Sequence, residues 1–107
     1  MHFFNIIEFP IIKTAFVDDM SYTFCDCIRL KYINITNFKT ENVKEMSFMF
    51  NGCLSLNSLD IKNFRTHKVI NMEAMFKDFA SLTELDVSRF DTSKVINMIE
   101  MFSGVVL

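Results

Sequence analysis

Residues 42–64 read NVKEMSFMFNGCLSLNSLDIKNF, and the reading of this stretch decides the fold. Met46, Met49 and Phe50 are followed by Gly52, and then Leu56, Leu59 and Ile61 come at spacings of three and two. In isolation such a stretch suits a soft-metal site, a membrane stripe or one unit of a repeat. The rest of the chain selects the repeat, because Met20, Met46, Met72 and Met98 are spaced by 26 residues each time. A fixed period of roughly 20–50 residues is the sequence mark of a repeat architecture.

With each of these methionines taken as phase 1, the apolar residues fall into columns. Phase 5 is Phe24, Phe50, Phe76 and Phe102, phase 11 is Phe4, Leu30, Leu56 and Leu82, and phase 14 is Ile7, Ile33, Leu59 and Leu85. Phase 16 holds Phe9, Ile35, Ile61 and Val87, phase 19 holds Ile12, Phe38, Phe64 and Phe90, and phase 24 holds Val17, Val43, Val69 and Val95. Threonine occupies phase 21 in every copy, as Thr14, Thr40, Thr66 and Thr92. Residues 1–107 thus read as one repeat domain whose first and last units are partial, as in a fragment of a longer array.

Local spacing then predicts shape. The pattern Leu-x-x-Leu-x-Ile-x-x-Phe places inward residues two apart, as a short strand does. From phase 22 to phase 6 the period changes: Val43, Met46, Met49, Phe50 and Cys53 lie three and four apart, the stripe of an amphipathic helix. Threonine at phase 21 suits the helix N-cap. At phase 7 Gly52 and Gly104, the only glycines, alternate with Asp26 and Asp78, which predicts a left-handed residue ending each helix. The expected fold is therefore α/β, a right-handed solenoid of about four 26-residue coils, each with a short parallel strand and a short helix.

The segments NVKEMSFMFNGCLSLNSLDIKNFRT and KVINMEAMFKDFASLTELDVSRFDTSKVINMIEMFSG resemble the Met-Phe leucine-rich repeat of BspA-like surface proteins and mycoplasma lipoproteins. In that family the elements N-x-x-x-M-x-x-M-F-x-G-C and L-x-x-L-D-L-S-x-F-D-T-S recur in tandem. The resemblance implies a leucine-rich-repeat-like solenoid in a repetitive cell-surface or secreted protein, with adhesion or host-protein binding as its role.

Composition excludes several classes. Half the residues are apolar and Gly and Pro are scarce, so the chain is expected to fold. A formal net charge of −2, with the eleven basic residues scattered singly, leaves no nucleic-acid footprint. No apolar run approaches the roughly 18–20 residues of a membrane span, so no membrane insertion is expected of this segment. The opening MHFFNIIEFPIIKTAF lacks a basic n-region and a small-residue cleavage site, and reads as the second half of a repeat unit. Any export signal is expected outside this chain.

Each chemical reading meets a structural competitor. The pairs Met46/Met49, Met72/Met75 and Met98/Met101 suit Cu(I) as thioethers, but beside the phase-5 phenylalanines they are expected to fill the core. Cys27 and Cys53 share phase 8 within disulfide reach, yet parallel side chains are poorly aimed, so buried free thiols are expected, with Cys25 exposed. His2 and His67 lie too far apart in phase to act as a pair. No phosphate loop, nucleophile elbow or His-Glu-x-x-His is present, so neither an enzyme nor a cofactor is expected.

Phase 15 is the polar column that invites a function: Glu8, Asn34, Asp60 and Asp86. Strand alternation places it outward, beside Tyr32, Ser58 and Glu84 at phase 13 and Thr36, Lys62 and Ser88 at phase 17. Together these residues form the candidate binding face for a protein or glycan, with Tyr32 as its aromatic anchor. The competing reading is a solvated acidic stripe; a divalent cation between Asp60 and Asp86 would need further oxygen ligands. A structural spacer without a ligand is the alternative role. Met1–Phe4 and Val105–Leu107 leave apolar unit ends, which suits continuation of the array or self-association.

Overall fold

The computed structural model describes the backbone of residues 6–8 and the whole of residues 13–105. His2, Phe4, Phe9, Pro10, Ile12 and Leu107, and the side chains of Ile6, Ile7 and Glu8, lie outside the described residues.

The repeat columns form the core. Met20, Met46 and Met72, with Phe24, Phe50 and Phe76, are buried together with Leu30, Leu56, Leu82, Ile35, Ile61, Phe38, Phe64, Val43 and Val69 in one cluster. The phase-5 rings stack along the repeat direction, with centroids 5.6 Å apart for Phe24–Phe50, 5.9 Å for Phe50–Phe76 and 5.7 Å for Phe76–Phe102. Phe79 meets Phe50 and Phe76 edge-on. Met46, Met49, Met72 and Met75 fill the space beside these rings and are fully enclosed, which makes them packing residues. The radius of gyration is 13.0 Å, close to the value of about 13 Å for a compact chain of this length.

The expected α/β solenoid does not form. Among the described residues there is no helix, and regular strand is confined to β1 (Ile6–Glu8) and β2 (Tyr32–Asn34). These two pair in parallel, with Ile6 opposite Tyr32 and Glu8 opposite Asn34, and the ladder goes no further. Phases 13–15 of the next copies, Ser58–Asp60 and Glu84–Asp86, are not strands. There Asp60 Oδ1 accepts the Lys62 N–H at 3.2 Å and Asp86 Oδ1 the Ser88 N–H at 2.9 Å, local turns at the end of each phase 13–15 segment.

Turns replace the expected helix. Met20 C=O accepts the Thr23 N–H, Tyr22 C=O the Cys25 N–H, and Phe24 C=O the Cys27 N–H, three consecutive turns. The backbone is left-handed at phase 7, as the Gly/Asp alternation predicts, but also at phase 3: φ is 62° at Tyr22, 57° at Phe48, 51° at Ala74 and 57° at Glu100. A helix cannot pass through such a residue, whereas the third position of a type II turn requires one.

The intervening N–H groups reach the neighbouring copy instead. Met46, Phe48, Phe50 and Gly52 donate to the carbonyls of Asn71, Glu73, Met75 and Lys77 at 2.8–3.0 Å, and the same four phases bond in the copies on either side. Asp19, Glu45, Asn71 and Asn97 form a row of parallel bridges along this seam. The spacing of three and four that resembles a helix is thus the spacing of inward residues along stacked turns.

Phase-21 threonine is likewise not a helix cap. The Thr40 hydroxyl donates to Arg65 C=O at 3.1 Å and accepts the Arg65 N–H at 2.7 Å, stitching one copy to the next. Thr14 does the same with Lys39, and Thr66 with Asp91. All three are buried, which fits groups with both hydrogen-bonding roles satisfied.

Candidate functional site

A groove of about 360 Å³ runs over the outer side of phases 13–17. Tyr32, Asn34, Thr36, Ser58, Asp60, Lys62, Glu84 and Asp86 line it, and Ile33, Leu59 and Ile61 form its floor. The floor belongs to the core columns, so burial of alternate residues is what holds the polar residues outward. Its volume lies at the lower end of the range of roughly 300–1,000 Å³ for small-molecule sites.

Of the expected face, Ser88 does not line the groove, and the Glu8 side chain lies outside the described residues. Ser88 acts on it indirectly. Hydrogen bonds to Asp86 from Ser88, foremost that of its hydroxyl and then that of its backbone N–H, hold the Asp86 carboxyl below its ordinary value; the positive charge of Arg89 adds to this. Asp86 is therefore a carboxylate at neutral pH. Lys62 pairs with Asp60 at 3.7 Å, both side chains being exposed, so the pair contributes little and remains free to exchange partners. The groove offers carboxylates at Asp60, Glu84 and Asp86, one ammonium at Lys62, the Asn34 amide, hydroxyls at Thr36 and Ser58, and the Tyr32 ring. These groups can hydrogen-bond and hold a polar ligand.

The Asn34 amide oxygen accepts both the Thr36 N–H, at 3.1 Å, and the Thr36 hydroxyl, at 2.8 Å. Phase 15 therefore carries a turn-forming role beside any binding role. Sequence reasoning missed the apolar floor as part of the site, although its periodicity was the signal. It also missed a smaller cavity of about 220 Å³ lined by Thr36, Phe38, Lys39, Glu41, Asn63 and Arg65, which no spacing in the chain announces.

The cysteines lie apart from the groove, and all three are free. Cys53 is enclosed in the core, and its thiol donates to Phe24 C=O at 3.2 Å. Burial pushes its pKa up to about 12, with the neighbouring Cys27 adding to the effect. Cys27 is half-buried, and burial raises its pKa too. Cys25, expected to be exposed, is half-buried, with the Asn51 amide 3.6 Å from its sulfur. Among the described residues no cluster of three or more His, Cys, Asp or Glu is placed to hold a metal ion. No helix of the described residues is long and apolar enough to cross a membrane.

No curated protein and no solved structure matches the chain. A family model described as a mycoplasma protein of unknown function, DUF285, matches residues 4–106. That match spans nearly the whole sequence, and the chain belongs to this family of mycoplasma proteins of unknown function.

Proposed function

We propose that this chain is a non-enzymatic binding module whose ligand, a protein or a glycan, seats in the groove over β2. One observation carries the reading: the groove gathers Tyr32 and Asn34, Ser58 and Asp60, and Glu84 and Asp86 from three successive copies onto one apolar floor. A surface assembled across copies is rigid, because each copy is held by the core columns beneath it. Tyr32 supplies an amphipathic ring with little conformational entropy to lose, as binding anchors commonly do. The resemblance of the Met-Phe repeat to BspA-like surface proteins supports display at a cell surface and an adhesive role.

A spacer without a ligand is the second reading. It is favoured by the local bonds of Asn34, Asp60 and Asp86, which give the polar column a structural reason to exist. Immobilised glycan and peptide-display panels separate the two. Binders that lose affinity with Tyr32→Ala and Asp86→Lys, at unchanged melting temperature, support the binding module. Binders indifferent to both substitutions, or no binders in either panel, favour the spacer.

A further inference from the structure

The groove over β2 and the smaller cavity beside it meet at Thr36, which lines both. The two carry opposite charge. In the groove the carboxylates of Asp60, Glu84 and Asp86 stand against the single ammonium of Lys62, which is drawn to Asp60. In the cavity the Lys39 ammonium and the Arg65 guanidinium stand against the single carboxylate of Glu41. Among the described residues Glu84, Asp86, Lys39, Arg65 and Glu41 take part in no ion pair.

The division follows whole columns of the repeat. Phase 15 is acidic at Glu8, Asp60 and Asp86, with Asn34 between them, whereas phase 20 is basic at Lys13, Lys39 and Arg65 before it ends on Asp91. Like charges in register on neighbouring copies repel, so each column works against the stack that carries it. The backbone holds the cations in place nonetheless. The Thr14 hydroxyl bonds both the N–H and the C=O of Lys39, and the Thr40 hydroxyl bonds both of those on Arg65, so the two project from adjacent copies at one fixed position. The acidic and basic columns are separated along the chain by at most about 18 Å of extended backbone.

We propose that the ligand of the groove is an extended polypeptide segment with a basic and an acidic side chain, the basic one seated among Asp60, Glu84 and Asp86 and the acidic one between Lys39 and Arg65. This inference rests on the reading of the groove as a binding site and adds the class of its occupant. The span between the columns places the two ligand charges within about five residues of each other. A neutral glycan engages neither set of charges, an acidic glycan meets the carboxylates of the groove, and a wholly basic segment meets the cations of the cavity. Such like-charge encounters exclude wrong partners. A segment of both signs gains at both ends and lies across the Tyr32 ring and the floor of Ile33, Leu59 and Ile61. Exposed ion pairs contribute little each, so the affinity is modest and falls as salt rises.

The test presents the full chain with short synthetic peptides that are bipolar, wholly basic, wholly acidic or uncharged, with a glycan array and with phosphatidylcholine vesicles. Bipolar peptides are expected to bind most tightly and to weaken as salt is raised. Lys39→Gln with Arg65→Gln is expected to weaken them about tenfold while strengthening wholly basic peptides. Asp60→Asn with Asp86→Asn is expected to weaken them as much while strengthening wholly acidic ones. All four side chains are exposed, and Asn34 shows that asparagine at phase 15 makes the same turn, so equal melting temperatures are expected. Wholly basic or wholly acidic peptides that bind the parent as tightly as bipolar ones would overturn the inference, as would capture of the vesicles in preference to peptides. Glycans that bind, depend on Tyr32 and ignore Lys39→Gln with Arg65→Gln would overturn it while leaving the binding module standing. Binding to none of the probes would overturn both.

Discussion

The Asp26 carboxylate oxygen Oδ1 occupies the place that a Cβ on Gly52 would need, and Asp78 stands in the same relation to Gly104. Both glycines are left-handed, with φ of 78° and 74°. The alternation of Asp and Gly along phase 7 is therefore not free variation between residues that tolerate this backbone. Within each of these pairs the carboxylate of one copy fills the space that the missing side chain of the next leaves open.

Gly52→Ala should destabilise the protein by about 1–2 kcal/mol from the left-handed backbone alone, with a further cost for displacing the Asp26 carboxylate. Adding Asp26→Gly should restore more stability in the Gly52→Ala background than it contributes in the unmodified chain. Thermal melts of the four proteins measure that coupling, and strictly additive changes would show that the two positions do not meet.

Thr40→Val should cost about 1–3 kcal/mol, because it strands the part-buried N–H and C=O of Arg65 that the buried Thr40 hydroxyl pairs, while keeping the side-chain shape. Thr40→Ser keeps both bonds and should lose less. Thr92→Val serves as the control: Thr92 is exposed and its hydroxyl has no partner among the described residues, so its melting temperature should stay near that of the parent.

Thiol labelling should proceed in an order set by burial. Cys53, enclosed and with its pKa pushed up to about 12, should react with Ellman's reagent only as fast as the chain unfolds, after half-buried Cys25 and Cys27. Adding denaturant should merge the phases. Early modification of Cys53 in the folded protein would mean that the Phe24–Phe50 layer above it opens readily.

Acid should weaken the fold through its turn carboxylates. Hydrogen bonds from Ser21 hold Asp19 below the ordinary value of 3.8, as those from Ser93 hold Asp91 and those from Ser88 hold Asp86. A folded pKa below the unfolded one contributes stability that is complete above the unfolded value and is lost as pH falls through the folded one. These groups should therefore leave the melting temperature flat from neutral pH to about pH 5 and lower it below about pH 4. Ser21→Ala removes the hydroxyl that donates to Asp19, so its deficit should be visible near neutrality and shrink in acid.

Much of this architecture is written in the chain itself. The 26-residue period, the columns that become the core and the outward polar residues of the groove all follow from which residues are apolar at which phase. Burial decides such matters, and burial is a property of side chains. The left-handed residue at phase 7 was equally legible, because only Gly and Asp occur there.

Tertiary structure alone decided what the backbone does between those columns. Tyr22, Phe48, Ala74 and Glu100 share a left-handed φ and no chemistry, so nothing in their identity marks the place where a helix cannot form. The N–H groups that a helix would pair four residues back find carbonyls 25 residues ahead, a partner that exists only once the copies are stacked. Apolar spacing of three and four is shared by an amphipathic helix and by a stack of turns, and the choice between them lies in hydrogen bonds that no single copy can make.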